Sequence, residues 1–177
     1  MRRFILTGTP GAGKTAILRR LEAEGFGVVE EAATDVIARE QGRGIAEPWT
    51  EPAFIDAIVN LQHWRERLAA AAPVDVQFHD RSAFCTAALA TYLGYEASDV
   101  LLRELARLAG DTVFEKRVFF ISNLGFVAPT EARRISFEEA LRFEQIHAET
   151  YLACGFDLVT IAAAPLEQRV TDIKRAL

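Results

Sequence analysis

Residues 8–15 read GTPGAGKT, and this stretch decides how the rest of the chain is interpreted. It matches the pattern G-x-x-x-x-G-K-[ST] at every defined position. The run RRFILTG at residues 2–8 leads into it as a predicted strand, and Ile17, Leu18 and Leu21 follow at helical spacing. This order predicts a phosphate-binding loop, because glycines let backbone N–H groups turn toward phosphate and the helix start adds its positive end.

The contacts of this loop can be predicted residue by residue. Lys14 is expected to reach the β- and γ-phosphates of ATP, and the Thr15 hydroxyl is expected to ligate Mg²⁺. ATP and Mg²⁺ are therefore the predicted cofactors. The alternative, a glycine turn without a ligand, is disfavoured by the strand before the loop and the helix after it. The residues predicted to bind the nucleotide are Gly8, Thr9, Pro10, Gly11, Ala12, Gly13, Lys14, Thr15 and Ala16.

Beyond the loop, predicted strands alternate with predicted helices. This alternation predicts an α/β protein with a three-layer P-loop NTPase fold, in which helices cover both faces of a mostly parallel five-stranded sheet. The chain shows no internal repeat or long linker, so residues 1–177 are predicted to form a single domain. The polar, glycine-bearing stretch at residues 39–48 carries no helix prediction. Further strands are predicted within residues 26–32, 73–82, 116–122 and 156–162, and further helices from residue 50, at 82–93, at 97–109, from 136 and from 165.

The same patterns carry expectations about burial. Phe54 and Trp64 are predicted to be core residues of the helix that starts near residue 50, where Trp64 and Arg65 compete for one buried stripe. His147 lies on the apolar face of a later helix and is also predicted to be core. Apolar and polar residues alternate along residues 73–82, which is not the usual pattern of a strand buried on both faces.

The composition limits the classes of protein to which the chain can belong. Of its 177 residues, 50% are hydrophobic and 25% are charged, as in an ordinary globular domain. A net charge of −5 argues against a surface that coats nucleic acid. The apolar runs are too short to span a bilayer and the N-terminus does not resemble a secretory signal, so a cytoplasmic location without membrane contact is predicted. Cys85 and Cys154 lack the spacing of a zinc site and are predicted to be buried.

Missing motifs narrow the predicted chemistry. No lysine is preceded by asparagine, so the N-K-x-D motif with which Ras-like GTPases read guanine is not present. Motor and AAA-type ATPases usually end the acidic strand with Asp-Glu, and the glutamate activates water; here Arg81 follows Asp80. An arginine cannot activate water, but it can hold an anionic or hydroxyl-bearing acceptor. The sequence therefore favours transfer to an acceptor over hydrolysis.

Two of these motifs resemble those of a known family. HDRS at residues 79–82 resembles the D/E-R-S element of P-loop nucleoside and nucleotide kinases, and VVEEA at residues 28–32 resembles the acidic element after their second strand. The order of motifs over nearly the whole chain is similar to the small AAA-like ATPase family that includes the kinase domain of bacterial nicotinamide-riboside kinase proteins. That family commonly has an arginine three residues after the second-strand glutamate, where this chain has Thr34.

The resemblance implies roles for the charged residues after the second and third strands. Asp80 is expected to partner Mg²⁺ through water or to act as a base. Glu31, or Glu30 in the alternative register, is expected to contact the substrate and to take the proton of the acceptor hydroxyl. Arg81 is expected to hold the acceptor and to take part in catalysis. The alternatives are a solvent-exposed strand end for the glutamates and a helix-capping salt bridge between Asp80 and Arg81.

The resemblance also implies a lid and a side chain that reads the substrate. The lid is expected at approximately residues 123–136, where Arg134, or Arg133 instead, would stabilise charge on the transferred phosphoryl group. A charge pair with a nearby glutamate is the alternative for either arginine. Gln62 occupies a place where nucleoside kinases often use glutamine to read a base, and the alternative is an ordinary surface residue.

These expectations combine into one predicted function and two alternatives. The prediction is an ATP- and Mg²⁺-dependent phosphotransferase of the nucleoside or nucleotide kinase type, which moves the γ-phosphate to a small acceptor bearing a hydroxyl or a phosphate. Its predicted partners are the nucleotide and that small molecule, with no nucleic acid and no membrane. The first alternative is a kinase of a non-nucleoside small molecule. The second is a nucleotide-binding ATPase or switch protein without an acceptor.

Overall fold

A computed structural model describes residues 1–124 and 136–177 of the chain. Its strands are β1 (Arg2–Thr7), β2 (Gly27–Val29), β3 (Val76–Asp80), β4 (Arg117–Ile121) and β5 (Asp157–Ile161). They form a five-stranded sheet in the order β2-β3-β1-β4-β5, and every pair of neighbours is parallel. Because β1 lies at the centre, the glycine-rich loop that follows it opens at the middle of the carboxyl edge, where ligands bind in such sheets.

Helices cover both faces of this sheet. They are α1 (Lys14–Ala23), α2 (Ala33–Gly42), α3 (Ala53–Ala69), α4 (Ala83–Leu93), α5 (Asp99–Gly110), α6 (Phe137–Ala153) and α7 (Leu166–Arg175), with a short 3-10 turn at Pro48–Thr50. Phe4 packs with Leu21 of α1 and Ile173 of α7, whereas the next residue, Ile5, belongs to a second cluster with Tyr151 of α6. Successive residues of β1 thus point to opposite layers, as the pleat requires. The predicted three-layer α/β fold is confirmed.

The helix α6 begins where the sequence predicts a helix start. Ser136 Oγ accepts a hydrogen bond from the Glu139 backbone (3.2 Å), and a Glu139 carboxylate oxygen accepts one from the Ser136 backbone (2.7 Å). This reciprocal capping box fixes the start of α6.

Within residues 1–124 and 136–177, no helix combines the length and the apolar character needed to cross a bilayer.

The helix α2 was not predicted. Its side chains are mostly polar, and Val36 is its buried residue, packed with Ala32, Phe54 and Ile58. An apolar stripe that occupies so little of the helix gives no recognisable 3.6-residue periodicity. Gly42 ends the helix and does not prevent it. The finding matters for function, because α2 forms part of the wall of the large cavity described below.

The strand β3 is central in spite of its alternating sequence. Its polar residues Gln77 and His79 are buried together with Phe78. They are tolerated because they satisfy each other: His79 Nε2 lies 2.8 Å from Gln77 Oε1, and Gln77 Nε2 donates to the carbonyl oxygen of Ala69 (3.1 Å). Burial lowers the pKa of His79 to about 3, so its ring is neutral at physiological pH. Alternation in a strand therefore does not by itself indicate an exposed face.

Two burial predictions need correction. On α3, Phe54 is buried as predicted, but Trp64 is 58% exposed. Arg65 takes the inner position, because its guanidinium donates to the backbone carbonyl oxygens of Glu30 (3.1 Å) and Glu31 and ties α3 to the end of β2. The second correction concerns the cysteines, of which Cys85 is buried and Cys154 is exposed.

Candidate functional site

The phosphate-binding loop is built by the close approach of two strands. Gly8 has a φ of +129°, and a Cβ at this position would lie 2.3 Å from the carbonyl oxygen of Ile121 in β4. No other residue fits there, because any side chain would push β4 away. Gly13 has a φ of +82° and precedes the first residue of α1. The loop thus presents the amino end of α1 to the carboxyl edge of the sheet.

Lys14 is folded into this loop. Its Nζ donates to the carbonyl oxygens of Gly8 (3.1 Å) and Thr9 (2.9 Å), and the side chain is buried. Burial and the neighbouring charge of Arg81 lower the pKa of Lys14 to about 8, although Asp80 attracts it. Such an amine exchanges two neutral carbonyl partners for anionic ones when a phosphate arrives, and that exchange favours phosphate binding.

A cavity of about 800 Å³ opens beside the loop. This volume suits a small-molecule ligand. Thr15, Glu31, Asp80, Arg81 and Gln62 line its polar part. The cavity also has an apolar wall, contributed by α2, α3, α4, α6 and the turn before α3; its residues are Ile37, Trp49, Phe54, Ile58, Leu89, Tyr92, Leu93 and Phe143. A charged edge beside a largely aromatic and aliphatic wall is typical of a site for a ligand with a flat, uncharged part.

Glu31 and Arg81 form an ion pair inside this cavity. Arg81 Nε donates to Glu31 Oε1 (3.0 Å), and the Thr34 hydroxyl donates to Glu31 Oε2 (2.6 Å). Burial acts to raise the pKa of Glu31, but the Arg81 charge, the Thr34 hydrogen bond and Lys14 outweigh it and lower the pKa. Glu31 is therefore ionised at neutral pH. Thr34, which departs from the arginine of the similar family, acts here as a donor to the glutamate.

Glu30 lies apart from its neighbour. Its carboxylate pairs with Arg19 of α1 at the surface, and it does not line the 800 Å³ cavity. The two consecutive glutamates after β2 thus point to different sides, and Glu31 is the one that lines the cavity.

Asp80 offers an oxygen without a partner. The side chain is buried, and in the described part of the chain its Oδ1 accepts no hydrogen bond. Burial raises the pKa of this carboxyl, and the attraction of Lys14 and Arg81 offsets the effect only in part. Thr15, which carries a hydroxyl, lines the same cavity. A carboxylate and a hydroxyl are hard oxygen donors of the kind that Mg²⁺ takes together with phosphate and water, so these residues fit the ion.

Arg81 adopts an unusual backbone conformation. Its φ is +71°, in the left-handed region that non-glycine residues rarely enter, and its backbone N–H donates to the carbonyl oxygen of Leu6 (3.0 Å). Such strain persists where surrounding contacts fix it, and it is common at functional sites. Arg81 pairs with Glu31 and not with Asp80, so the helix-capping salt bridge considered from the sequence is absent among the described contacts.

Gln62 lies at the cavity and not at the open surface. The Thr86 hydroxyl donates to Gln62 Oε1 (2.9 Å), which leaves the amide N–H₂ group of Gln62 to donate. Both residues line the cavity.

The sequence analysis assigned no role at the site to three polar residues of this region. Thr34 and Thr86 orient Glu31 and Gln62, and His147 Nε2 lies 3.2 Å from Arg81 Nη1. The signal available for His147 was its polarity on an otherwise apolar helix face, because a buried imidazole needs hydrogen-bond partners. The predicted lid falls mostly on residues 125–135, so Arg133 and Arg134 lie outside the described residues.

Comparisons with known proteins agree with the fold. A family model described as an AAA domain matches residues 3–169. No curated protein matches the sequence significantly. Deoxyadenosine kinase from M. mycoides, solved with the products dCMP and dCDP, is similar with a TM-score of 0.68 at 14% identity, over 98% of this chain and 97% of that one. The NadR protein in complex with NR gives a TM-score of 0.70 at 14% identity, over 98% of this chain and 50% of that one. The chain therefore belongs to the AAA domain family and has the fold of the P-loop nucleoside kinases.

Proposed function

We propose that this protein is an ATP-dependent kinase of a small molecule, and that it transfers the γ-phosphoryl group to a hydroxyl of a nucleoside-like acceptor. The observation that carries the proposal is the Glu31–Arg81 pair, which lies in the same cavity as Lys14 of the phosphate-binding loop. A carboxylate beside an arginine suits a hydroxyl, which donates to the first and accepts from the second. Residues 1–177 would act as one domain.

The donor would be held by the loop. Backbone N–H groups of residues 8–15 and the start of α1 would bind the phosphates of ATP. Lys14 would leave the carbonyl oxygens of Gly8 and Thr9 and contact the β- and γ-phosphates. Asp80, directly or through water, and the Thr15 hydroxyl would hold Mg²⁺. When bound, the ion would neutralise charge on the phosphates.

The acceptor would be activated by the ion pair. Glu31, ionised because its pKa is lowered, would orient the acceptor hydroxyl and take its proton as the bond to phosphorus forms. A weak base suffices because phosphoryl transfer passes through a loose transition state that needs little deprotonation of the nucleophile. Arg81 would steady the attacking oxygen. Asp80 is less suited to the role of base, because Mg²⁺ would occupy its carboxylate.

The remainder of the acceptor would lie against the aromatic wall. Trp49, Tyr92 and Phe143 line the cavity beside Gln62, whose N–H₂ group would donate to a polar edge of the acceptor. The similar proteins support a nucleoside, since one is a deoxyadenosine kinase and another was solved in complex with NR. Arg134, or Arg133 instead, in a lid at approximately residues 123–136 would stabilise the transferred group.

The test is a screen for acceptor-dependent release of ADP. The purified protein, ATP and Mg²⁺ would be incubated with nucleosides, nicotinamide riboside, nucleoside monophosphates and non-nucleoside alcohols. We expect ADP release to rise with at least one nucleoside-like acceptor and the phosphorylated product to appear in equal amount by mass spectrometry. Hydrolysis that no acceptor stimulates would reject the kinase and favour an ATPase or switch. Phosphorylation of a non-nucleoside alcohol alone would retain the reaction and reject the acceptor class.

A further inference from the structure

His147 is a fully buried histidine with two directed contacts. Its Nδ1 lies 2.9 Å from the carbonyl oxygen of Phe143, and its Nε2 lies 3.2 Å from Arg81 Nη1. A carbonyl oxygen can only accept, so Nδ1 carries the proton. The other nitrogen then has a lone pair, which accepts from the guanidinium. The imidazole is neutral, because burial and the Arg81 charge lower the pKa of His147 to about 3.

This contact completes the anchoring of the Arg81 head group. Glu31 holds Nε and His147 holds Nη1, so two edges of the planar guanidinium are fixed in different directions. One contact alone would leave the head group able to swing about it. Neither contact uses Nη2, and Arg81 lines the cavity.

His147 also connects Arg81 to the wall of the cavity. Phe143, whose carbonyl oxygen accepts the hydrogen bond from Nδ1, lines the cavity, and its ring centroid lies 4.2 Å from that of the imidazole at an interplanar angle of 74°. The same ring contacts Tyr92 of α4 at 4.8 Å. An aliphatic residue could occupy this position but could not accept a hydrogen bond from Arg81. An imidazole is therefore explained by what it accepts from Arg81 and not by packing.

We propose that His147 is a positioning residue: its neutral imidazole accepts a hydrogen bond from Arg81 Nη1 and thereby aims Nη2 at the acceptor hydroxyl. This inference rests on the proposed phosphotransferase function. His147 does not touch the acceptor or ATP. In the described part of the chain the hydrogen bonds of His147 go to Arg81 and Phe143 and none goes to the loop of residues 8–15, so we expect its main effect on the acceptor side.

Two amide substitutions separate the two contacts of His147. In His147→Gln the amide reaches the place of Nε2 and can still accept from Arg81, whereas in His147→Asn it reaches only the place of Nδ1. Both are polar and smaller than or similar to histidine, so they disturb the core alike. We expect His147→Asn to lower kcat/KM for the acceptor by about tenfold to a hundredfold and to leave the KM for ATP within about twofold. His147→Gln should recover most of that loss.

The matched control is Thr150→Val on the same helix. Its hydroxyl donates to the Ile146 carbonyl oxygen (2.7 Å), and Thr150 does not line the cavity, so kcat/KM should not change. Equal losses in the Asn and Gln variants, or a parallel rise in the KM for ATP, would show that His147 is only a core residue. ATP binding measured by calorimetry establishes that each variant is folded.

A measurement on the wild-type protein does not depend on turnover. The ¹⁵N chemical shifts of the His147 ring report its tautomer, and the chain has three histidines to assign. We expect a protonated Nδ1 and a bare Nε2 at neutral pH. A protonated Nε2 would overturn the inference. If instead the wild-type protein phosphorylates no acceptor while this tautomer is observed, the proposed function fails and the contact to Arg81 stands.

Discussion

This protein has two networks of charged side chains that contain similar residue types but differ in how many of their polar atoms have partners. The closed network lies between α3, α5 and β1 and consists of Arg3, His63, Glu66, Glu104 and Arg107. The site network lies at the carboxyl edge of the sheet and consists of Lys14, Glu31, Asp80, Arg81 and His147. Each contains carboxylates, at least one arginine and one histidine.

In the closed network every carboxylate is held by cations. Glu66 accepts from Arg3 (2.7 Å) and Arg107 (2.6 Å), and Glu104 accepts from Arg107 (2.7 Å) and contacts His63 (3.0 Å). Although His63, Glu66 and Glu104 are close enough to hold a metal ion, the arginines already occupy the carboxylates. The hydrogen bonds and charge of Glu104 and Glu66 raise the pKa of Arg107 despite burial.

The site network is left incomplete. Asp80 Oδ1 has no partner among the described residues, and Lys14 bonds to neutral carbonyl oxygens of its own loop. Buried polar groups that lack strong partners cost free energy, and a ligand that supplies them gains affinity. A network of charged residues whose polar atoms are all paired therefore stabilises the fold, whereas one with unpaired polar atoms is suited to bind a ligand, even when both contain the same residue types.

The largest effect on activity is expected for Lys14→Ala. The buried amine would no longer meet the phosphates, and acceptor-dependent ADP release should fall by about a thousandfold or more. The free energy of unfolding should change less than activity, because the hydrogen-bond partners of Lys14 are neutral carbonyl oxygens, although Asp80 and Glu31 lose its attraction. Calorimetric titration with ATP and the ADP assay measure both steps. Lys174→Ala, which removes a surface contact to Glu24 (2.5 Å), is the control and should keep full activity. Turnover of Lys14→Ala within tenfold of wild type would contradict the assignment.

Asp80→Asn should separate activity from stability. Turnover is expected to fall by about a hundredfold to a thousandfold, because an amide is a poor partner for Mg²⁺. The stability of the protein at neutral pH, in contrast, should not fall, because the variant no longer buries an ionised carboxyl. Burial raises the folded-state pKa of Asp80 above the unfolded value, so the folded protein binds more protons in that window and stability falls as pH rises through it.

The Asn variant should lose this decline. Thermal unfolding of the Mg²⁺-free protein between about pH 4 and pH 8 measures this decline, since the ordinary pKa of aspartate is 3.8. At the upper end of the range the variant should be at least as stable as wild type. A variant that is less stable than wild type at pH 8 would mean that the Asp80 carboxylate is satisfied within the fold.

Glu31→Gln and Glu30→Gln form a matched pair on neighbouring residues. Glu31 lies in the cavity with Arg81, and its loss should lower kcat by about a hundredfold, the usual contribution of a general base. Glu30 pairs with Arg19 at the surface, where such a pair contributes little, so its variant should keep kcat within about twofold. Steady-state kinetics with saturating acceptor decide between them. If both variants lowered kcat equally, the kinetics would not distinguish Glu31 from Glu30 as the base, and the assignment to Glu31 would be rejected.

These results show which parts of the site could be predicted from sequence. The loop of residues 8–15 was predictable because its function depends on contiguous residues, and the sheet followed from periodicity. Glu31 and Arg81 are 50 residues apart; both follow predicted strands, which places them at one edge of the sheet, but the sequence does not show that they pair. Since β2 ends at Val29, the strand signal stops before the two glutamates and does not decide which one faces the cavity.

The rest depended on contacts between distant segments. His147 was predicted as a core residue, and it is buried, but its partner Arg81 is 66 residues away. Gln77 and His79 lie on the same face of β3 and hydrogen-bond to each other, and the alternating sequence alone does not show that this pair is buried. The helix α2 has too few buried side chains to produce a period. In each case the decisive quantity was a hydrogen bond or a burial that tertiary structure creates.

The smallest effect on activity is expected in the closed network, where the effect on stability should be clear. Glu66→Gln removes the charge that Arg3 and Arg107 share and keeps the shape of the side chain. Because the partly buried Arg3 loses the charge of its partner and Arg107 keeps Glu104 but loses the charge of Glu66, the free energy of unfolding should fall by about 1–3 kcal/mol. Urea unfolding measures the loss, and kcat per folded molecule should stay within about twofold. A variant of normal stability and reduced turnover would remove the distinction between the two networks, since the closed one would then serve the reaction.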